Sequence, residues 1–182
     1  PIQLILLLFY CSRRNLPIRA SSSFLFLMII NLLMTVFDIA ACELIADWQS
    51  QSMTLIYAVN ILYFLSFVAR GWALFDYTAE ISHAYSMFGK NIRIITAIPA
   101  LIMFIVILST PWTKTIFGIS AGQGYFSGSL YQLIYFITYL YIVLSLAAVL
   151  IRWKHMDERV KVSMIFYNVI LILGIILRRQ FE

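Results

Sequence analysis

Charge is what this chain has least of. Of its 182 residues only 12% are charged, whereas 63% are hydrophobic. Soluble domains carry roughly 25% charged and 45–50% apolar residues, so a soluble domain is excluded. Cysteine is almost as scarce: Cys11 and Cys42 both fall in apolar sequence, the topology below puts them on opposite sides of a membrane, and no metal-ligand spacing exists. No HExxH, GxSxG, GxGD-type carboxylate pair or Gly-rich phosphate loop occurs. The two histidines, His83 and His155, fall in loops, so no catalytic residue, metal or cofactor is expected. The apolar spans contain no lysine, which excludes a retinal Schiff base within them. The absence of a TVGYG-like filter and of arginines at every third position argues against a potassium channel or voltage sensor.

What is present is hydrophobic sequence in blocks about as long as a bilayer is thick, which takes roughly 20 residues of helix. The blocks are continuous rather than alternating, against an outer-membrane barrel. They predict an all-α polytopic membrane bundle with spans at about 1–11, 22–46, 53–77, 92–110, 130–151 and 160–177. The first run, Pro1–Tyr10, lacks a basic leader and a small-residue cleavage site, so it reads as a truncated span rather than a signal peptide. The chain is expected to be part of a longer protein.

Lysine and arginine set the orientation. Arg13, Arg14, Arg19, Lys90, Arg93, Arg152, Lys154, Arg159 and Lys161 fall on one side, and Lys114, Arg178 and Arg179 on the other. The basic side is expected in the cytoplasm, which places the chain in the inner (plasma) membrane as a multi-pass protein. Glu182 then lies outside, and parity predicts a seventh helix returning inward. The net charge of +5 is thereby explained without nucleic acid as a partner.

The outer segment 111–129 carries four glycines and four aromatic residues. Loops of this length without helical pattern are usually functional or disordered, and this one reads as a β-hairpin or lid over the bundle, against the alternative of a loose linker on the headgroups. Beneath it, polar residues recur at helical spacing: Asn31, Thr35, Asp38 and Cys42 in one span, Asn60, Tyr63, Phe67 and Arg70 in the next. The 130–151 span offers Tyr131, Tyr135, Thr138 and Ser145 with Tyr139 beside them, and the last offers Ser163, Tyr167, Gly174 and Arg178. Such stripes should face one another around a partly hydrated interior. Asn31, Asn60, Thr138 and Asn168 also suit interhelical hydrogen bonding. Tyr57, Trp72 and Trp153 suit the membrane interface, and Arg70 suits snorkelling toward the basic side. Asp38 is too short to reach the interface from its depth.

The order of these features resembles a known family. Asp38-Ile39 in the outer half of a helix precedes an outer loop closing with Gly124, Tyr125, Gly128 and Leu130. A Tyr-rich helix, a basic inner loop and a helix ending in Arg178-Arg179-Gln180-Phe181 follow. This is similar to the seven-helix N-terminal sensor region of bacterial receptors that precede histidine kinase or GGDEF diguanylate cyclase domains. Ser127 and Ser129 stand where that family commonly has Arg and Pro, so a ligand contact by that arginine is not implied. The resemblance implies a small extracytoplasmic ligand bound beneath the loop and a cytoplasmic output domain in the same chain. The expected ligand-binding residues are Asp38, Glu43, Tyr125, Tyr135, Tyr139 and Arg178. Asp38 and Glu43 suit an amine and Arg178 an acid, so the ligand's charge stays open. The expected partners are the lipid bilayer, the ligand, the output domain and a second copy of the chain. The competing expectation is a small secondary transporter or channel lined by Asp38 and Arg70.

Overall fold

A computed structural model describes residues 18–88, 91–120, 124–156 and 158–181; the expected 1–11 span lies outside them. The elements in chain order are α1 (Ile18–Ala46), α2 (Met53–Ile81), α3 (Ala84–Phe88), α4 (Ile92–Thr113), β1 (Phe117–Ser120), β2 (Gly124–Ser127), α5 (Tyr131–Ile151), a 3₁₀ turn (Trp153–His155) and α6 (Glu158–Phe181). Four of these, Ser22–Ala46 of α1 with α2, α4 and α5, are long and apolar enough to cross a membrane. The apolar stretch of α6, Met164–Ile176, is shorter. The chain is a multi-pass helical membrane bundle, interrupted by one two-stranded hairpin.

Helix α2 is the axis of the bundle, packing on α1, α4 and α5, while α6 packs on α5. Its buried positions include Tyr63, Phe64, Phe67, Val68, Leu74 and Phe75, the all-round apolar character of a central helix. Gly71 lets α5 come close, since a methyl group there would already touch Tyr141 and Thr138. Small residues serve this purpose where membrane helices meet. Helix α4 is the opposite case: Ile94 is 68% and Ile105 70% exposed, a face suited to lipid.

Two breaks in helical regularity have side-chain or backbone remedies. Pro99 lies inside α4 and cannot donate a hydrogen bond. Beside it the Tyr141 hydroxyl donates to the Thr96 carbonyl at 2.7 Å and accepts from the Ala100 N–H at 3.1 Å. Helix α4 ends at Lys114, whose left-handed backbone (φ 53°) turns its N–H onto the Thr110 carbonyl at 2.8 Å, a common helix terminus.

The bundle has two unlike ends. One carries the 47–52 turn and the hairpin, and the other carries α3 and the 3₁₀ turn. In the hairpin Phe117 faces Ser127, Gly118 faces Phe126, Ile119 faces Tyr125 and Ser120 faces Gly124. The ladder continues below the strands, where Gly128 N–H donates to Ile116 and Leu130 N–H to Thr115.

Candidate cleft beneath the hairpin

The hairpin is held down by aromatic rings. Phe117 is fully buried and stacks on Tyr57 (centroids 5.3 Å apart), Phe64 (5.6 Å) and Tyr125 (5.7 Å). Tyr57 therefore anchors the hairpin rather than serving only the membrane interface. From the other side Trp48, in the α1–α2 turn, packs over Gly124. Gly124 has φ of +70°, which a residue with a Cβ adopts only with strain.

Under this roof lies a cleft of about 490 Å³ between α1, α2, the hairpin and the start of α5. Helix α1 contributes Asp38, Ala41, Cys42 and Ile45, and α2 contributes Asn60, Tyr63 and Phe64. The hairpin contributes Tyr125, Phe126 and Ser127, and Tyr131 opens α5. The volume falls within the roughly 300–1,000 Å³ of small-molecule sites. Asp38 is the sole charged group among the described residues that line it.

The expected site residues separate on this geometry. Asp38 and Tyr125 line the cleft. Tyr135 stands one step behind, edge-on to Phe67 at 5.7 Å, with its hydroxyl 3.3 Å from that of Tyr131. Glu43 is exposed on α1 and does not line the cleft. Tyr139 packs partly buried against the helical core. The side chain of Arg178 lies outside the described residues. The pattern reading missed Asn60, Tyr63, Phe64, Phe126 and Tyr131 as cleft residues. Asn60, Tyr63 and Tyr131 belonged to its polar stripes, but nothing in helical spacing could say which end of a stripe a hairpin would cover.

The stripes themselves close on one another more than on water. Asn31 donates to the Tyr167 hydroxyl at 2.9 Å, joining α1 to α6. Asn168 donates to Ser145 at 3.3 Å and Ser145 to Thr78 at 2.9 Å, joining α6, α5 and α2. Asn60 and Thr138 instead donate to carbonyls of their own helices, Ile56 and Ile134. Arg70 lies over the Phe67 ring at 5.0 Å.

A second polar cluster sits at the other end, where the pattern reading expected a loop from residue 78. Helix α2 runs on to Ile81, which puts Asp76 and Glu80 on one face four residues apart. Asp76 is 2% exposed. It accepts hydrogen bonds from the Tyr85 hydroxyl (2.7 Å), Arg93 (2.7 Å) and Ser23 (3.2 Å). The Ser23 hydroxyl also lies 2.5 Å from Glu80. Four elements, α1 to α4, thus meet on one carboxylate. Burial, reinforced by the bond to Asp76, pushes the Tyr85 phenol well above its ordinary range. Neither this cluster nor the cleft has metal-site character: among the described residues no three His, Cys, Asp or Glu side chains converge.

Comparison of the chain with family models, curated proteins and solved structures gives no match in any of the three.

Proposed function

We propose that this chain is a sensory receptor domain of the inner membrane. It binds a small extracytoplasmic ligand in the cleft beneath the hairpin and regulates a cytoplasmic output domain of histidine kinase or diguanylate cyclase type. The observation that carries the reading is the cleft itself, roofed by an anchored hairpin and lined by one carboxylate, one amide and five aromatic rings. The output domain rests on the resemblance of the sequence order to bacterial sensor regions.

Helix α2 supplies a route between the two ends. Asn60 and Phe64 line the cleft, and Asp76 and Glu80 hold the cluster at the opposite end. Sixteen residues from Asn60 to Asp76 span about 24 Å at 1.5 Å per residue. A ligand drawing the hairpin and α1 toward α2 biases one packing of these helices over another. The shift is as large as the ligand's difference in affinity for the two packings. Between the ends the interior is filled by Phe67, Val68, Leu74, Tyr141 and Ile142, all buried, which favours a receptor over a conduit.

A thermal-stability screen of metabolites against the purified chain tests this reading. A ligand that stabilises the wild type is expected to lose its effect in Cys42→Trp, which fills the cleft from its exposed rim. Ligands acting equally on both proteins would remove the cleft from the account. Substrate counterflow in proteoliposomes would replace the receptor by a small secondary transporter or channel.

A further inference from the structure

The bundle holds a second recess toward the end opposite the hairpin, and its walls are of another kind. We infer that this recess is a lipid site: it takes one acyl chain of an anionic phospholipid, whose phosphate is held by Arg93 and Arg152. The recess measures about 180 Å³ and lies between α2, α3, α4 and α5. Helices α4 and α5 both pack on the central α2, and the short side chains of Ala79, Ala84, Ala147 and Ala148 leave the space between them. Ile151 borders the recess and is 55% exposed. Beside the recess, Ile95 of α4 and Leu150 of α5 are exposed as well, so it opens sideways onto the face that meets lipid.

The walls suit hydrocarbon. Two lining side chains carry hydroxyls, and both are engaged elsewhere. Thr96 donates to the carbonyls of Ile92 and Arg93 at 2.9 and 3.1 Å, and Tyr85 donates to Asp76 at 2.7 Å. An apolar cavity of about 150 Å³ stays dry and accepts an apolar guest, and a void forfeits dispersion contacts along its lining. In a bilayer the hydrocarbon at hand is an acyl chain. The mouth of the recess is basic. Arg93 follows the lining residue Ile92 and lies 6.0 Å from the ring of Tyr85. Arg152 follows the lining residue Ile151, and its Nε donates to the Ser82 carbonyl just before α3 at 3.1 Å. Asp76 takes one nitrogen of Arg93, but a guanidinium has five N–H donors. Glu80, the other carboxylate of this end of α2, is bound by Ser23 of α1. Lys154 adds an exposed charge on the 3₁₀ turn. Basic groups between helices at the cytoplasmic side, where this end is expected, hold phospholipid headgroups, and the arginine fork matches phosphate oxygens.

The test compares two lipids with the same chains and unlike charge, dioleoyl phosphatidylglycerol and dioleoyl phosphatidylcholine. Native mass spectrometry of the whole chain, released from a maltoside detergent, measures the binding of each. The anionic lipid is expected to bind at least about fivefold more tightly, the factor that one basic group near an anionic headgroup supplies. Arg152→Gln should lower that preference severalfold, and Arg152→Lys should keep most of it. Ala147→Phe fills the recess and should weaken both lipids severalfold. Should Ala147→Phe fail to fold, Ile151→Trp at the exposed rim takes its place. Equal binding of the two lipids, or binding of neither, would overturn the anionic assignment. A preference altered by neither Arg152→Gln nor the filling variant would place the lipid elsewhere and overturn the site. Displacement of phosphatidylglycerol by an equal concentration of glycerol phosphate would overturn the acyl-chain part, leaving a site for free phosphate.

Discussion

Phe117 of the hairpin stacks on Phe64 of α2 with ring centroids 5.6 Å apart and planes 30° from parallel. The contact ties a short extramembrane element to the central helix of the bundle. Phe64 is also a cleft residue, so one ring serves both the roof and the site.

Replacing Phe117 with alanine should therefore release the roof without unfolding the bundle. Truncating a buried phenylalanine costs about 3–5 kcal/mol, here drawn from the hairpin. Hydrogen exchange is expected to speed up in residues 117–120 and 124–127 while α2 and α5 keep their protection. Unchanged exchange in the hairpin would show that Phe117 does not hold it.

The two glycines Gly128 and Gly174 should respond oppositely to alanine. A Cβ at Gly128 would lie 2.3 Å from the Thr115 carbonyl oxygen, at the base of the hairpin ladder. A Cβ at Gly174 would meet nothing within 4 Å, and alanine is the better helix former by up to about 1 kcal/mol. Melting should be lowered by Gly128→Ala and left unchanged or raised by Gly174→Ala.

Tyr141→Phe should destabilise the chain although it removes a single atom. The hydroxyl donates to Thr96 and accepts from Ala100, beside Pro99, so its loss removes two hydrogen bonds that join α5 to α4. Losing a hydrogen bond of this kind costs about 0.5–1.5 kcal/mol. Equilibrium unfolding in detergent measures the loss, and a fully neutral substitution would contradict this role.

At the opposite end, Asp76→Ala should destabilise more than Arg93→Ala. The aspartate is buried and takes three donors, whereas the arginine side chain is 52% exposed. Solvent screening of Arg93 holds the coupling between the two to about 1 kcal/mol, which a double-mutant cycle measures.

Tyr85 gives a pH signature. Its phenol is raised, first by burial and then by donation to Asp76, so the folded chain keeps this proton above pH ~10, the ordinary phenol value. The stability it lends is fully present below pH ~10 and declines as pH rises beyond that point. An alkaline absorbance titration of the folded wild type minus that of Tyr85→Phe should show no phenolate step near pH 10. A step there would contradict the buried placement of Tyr85.

Much of the architecture was legible because hydrophobic length is a strong signal. The apolar runs around Leu27, Val68, Ile107 and Ile142 lie in the four helices able to cross a membrane. Glycines and aromatics at 111–129 left a β-hairpin or lid open beside a loose linker, and the strands Phe117–Ser120 and Gly124–Ser127 lie there. Asp38 stood out because a carboxylate deep in apolar sequence needs a reason. Tertiary placement was not legible. Phe64 and Phe126 look like any apolar side chain until the hairpin folds onto α2. Asp76 falls at the end of the expected 53–77 span, and nothing in its spacing says that Ser23, Tyr85 and Arg93 gather on it inside the bundle. Tyr139 shares helix α5 with the cleft residue Tyr131 but lies too far along it to reach the hairpin.

The most direct test uses Cys42, an exposed residue on the cleft wall. In a Cys11→Ser chain the rate of Cys42 alkylation by N-ethylmaleimide is measured with and without a saturating ligand from the metabolite screen. A ligand seated beneath the hairpin should slow alkylation severalfold. An unchanged rate at saturation would contradict binding in the cleft.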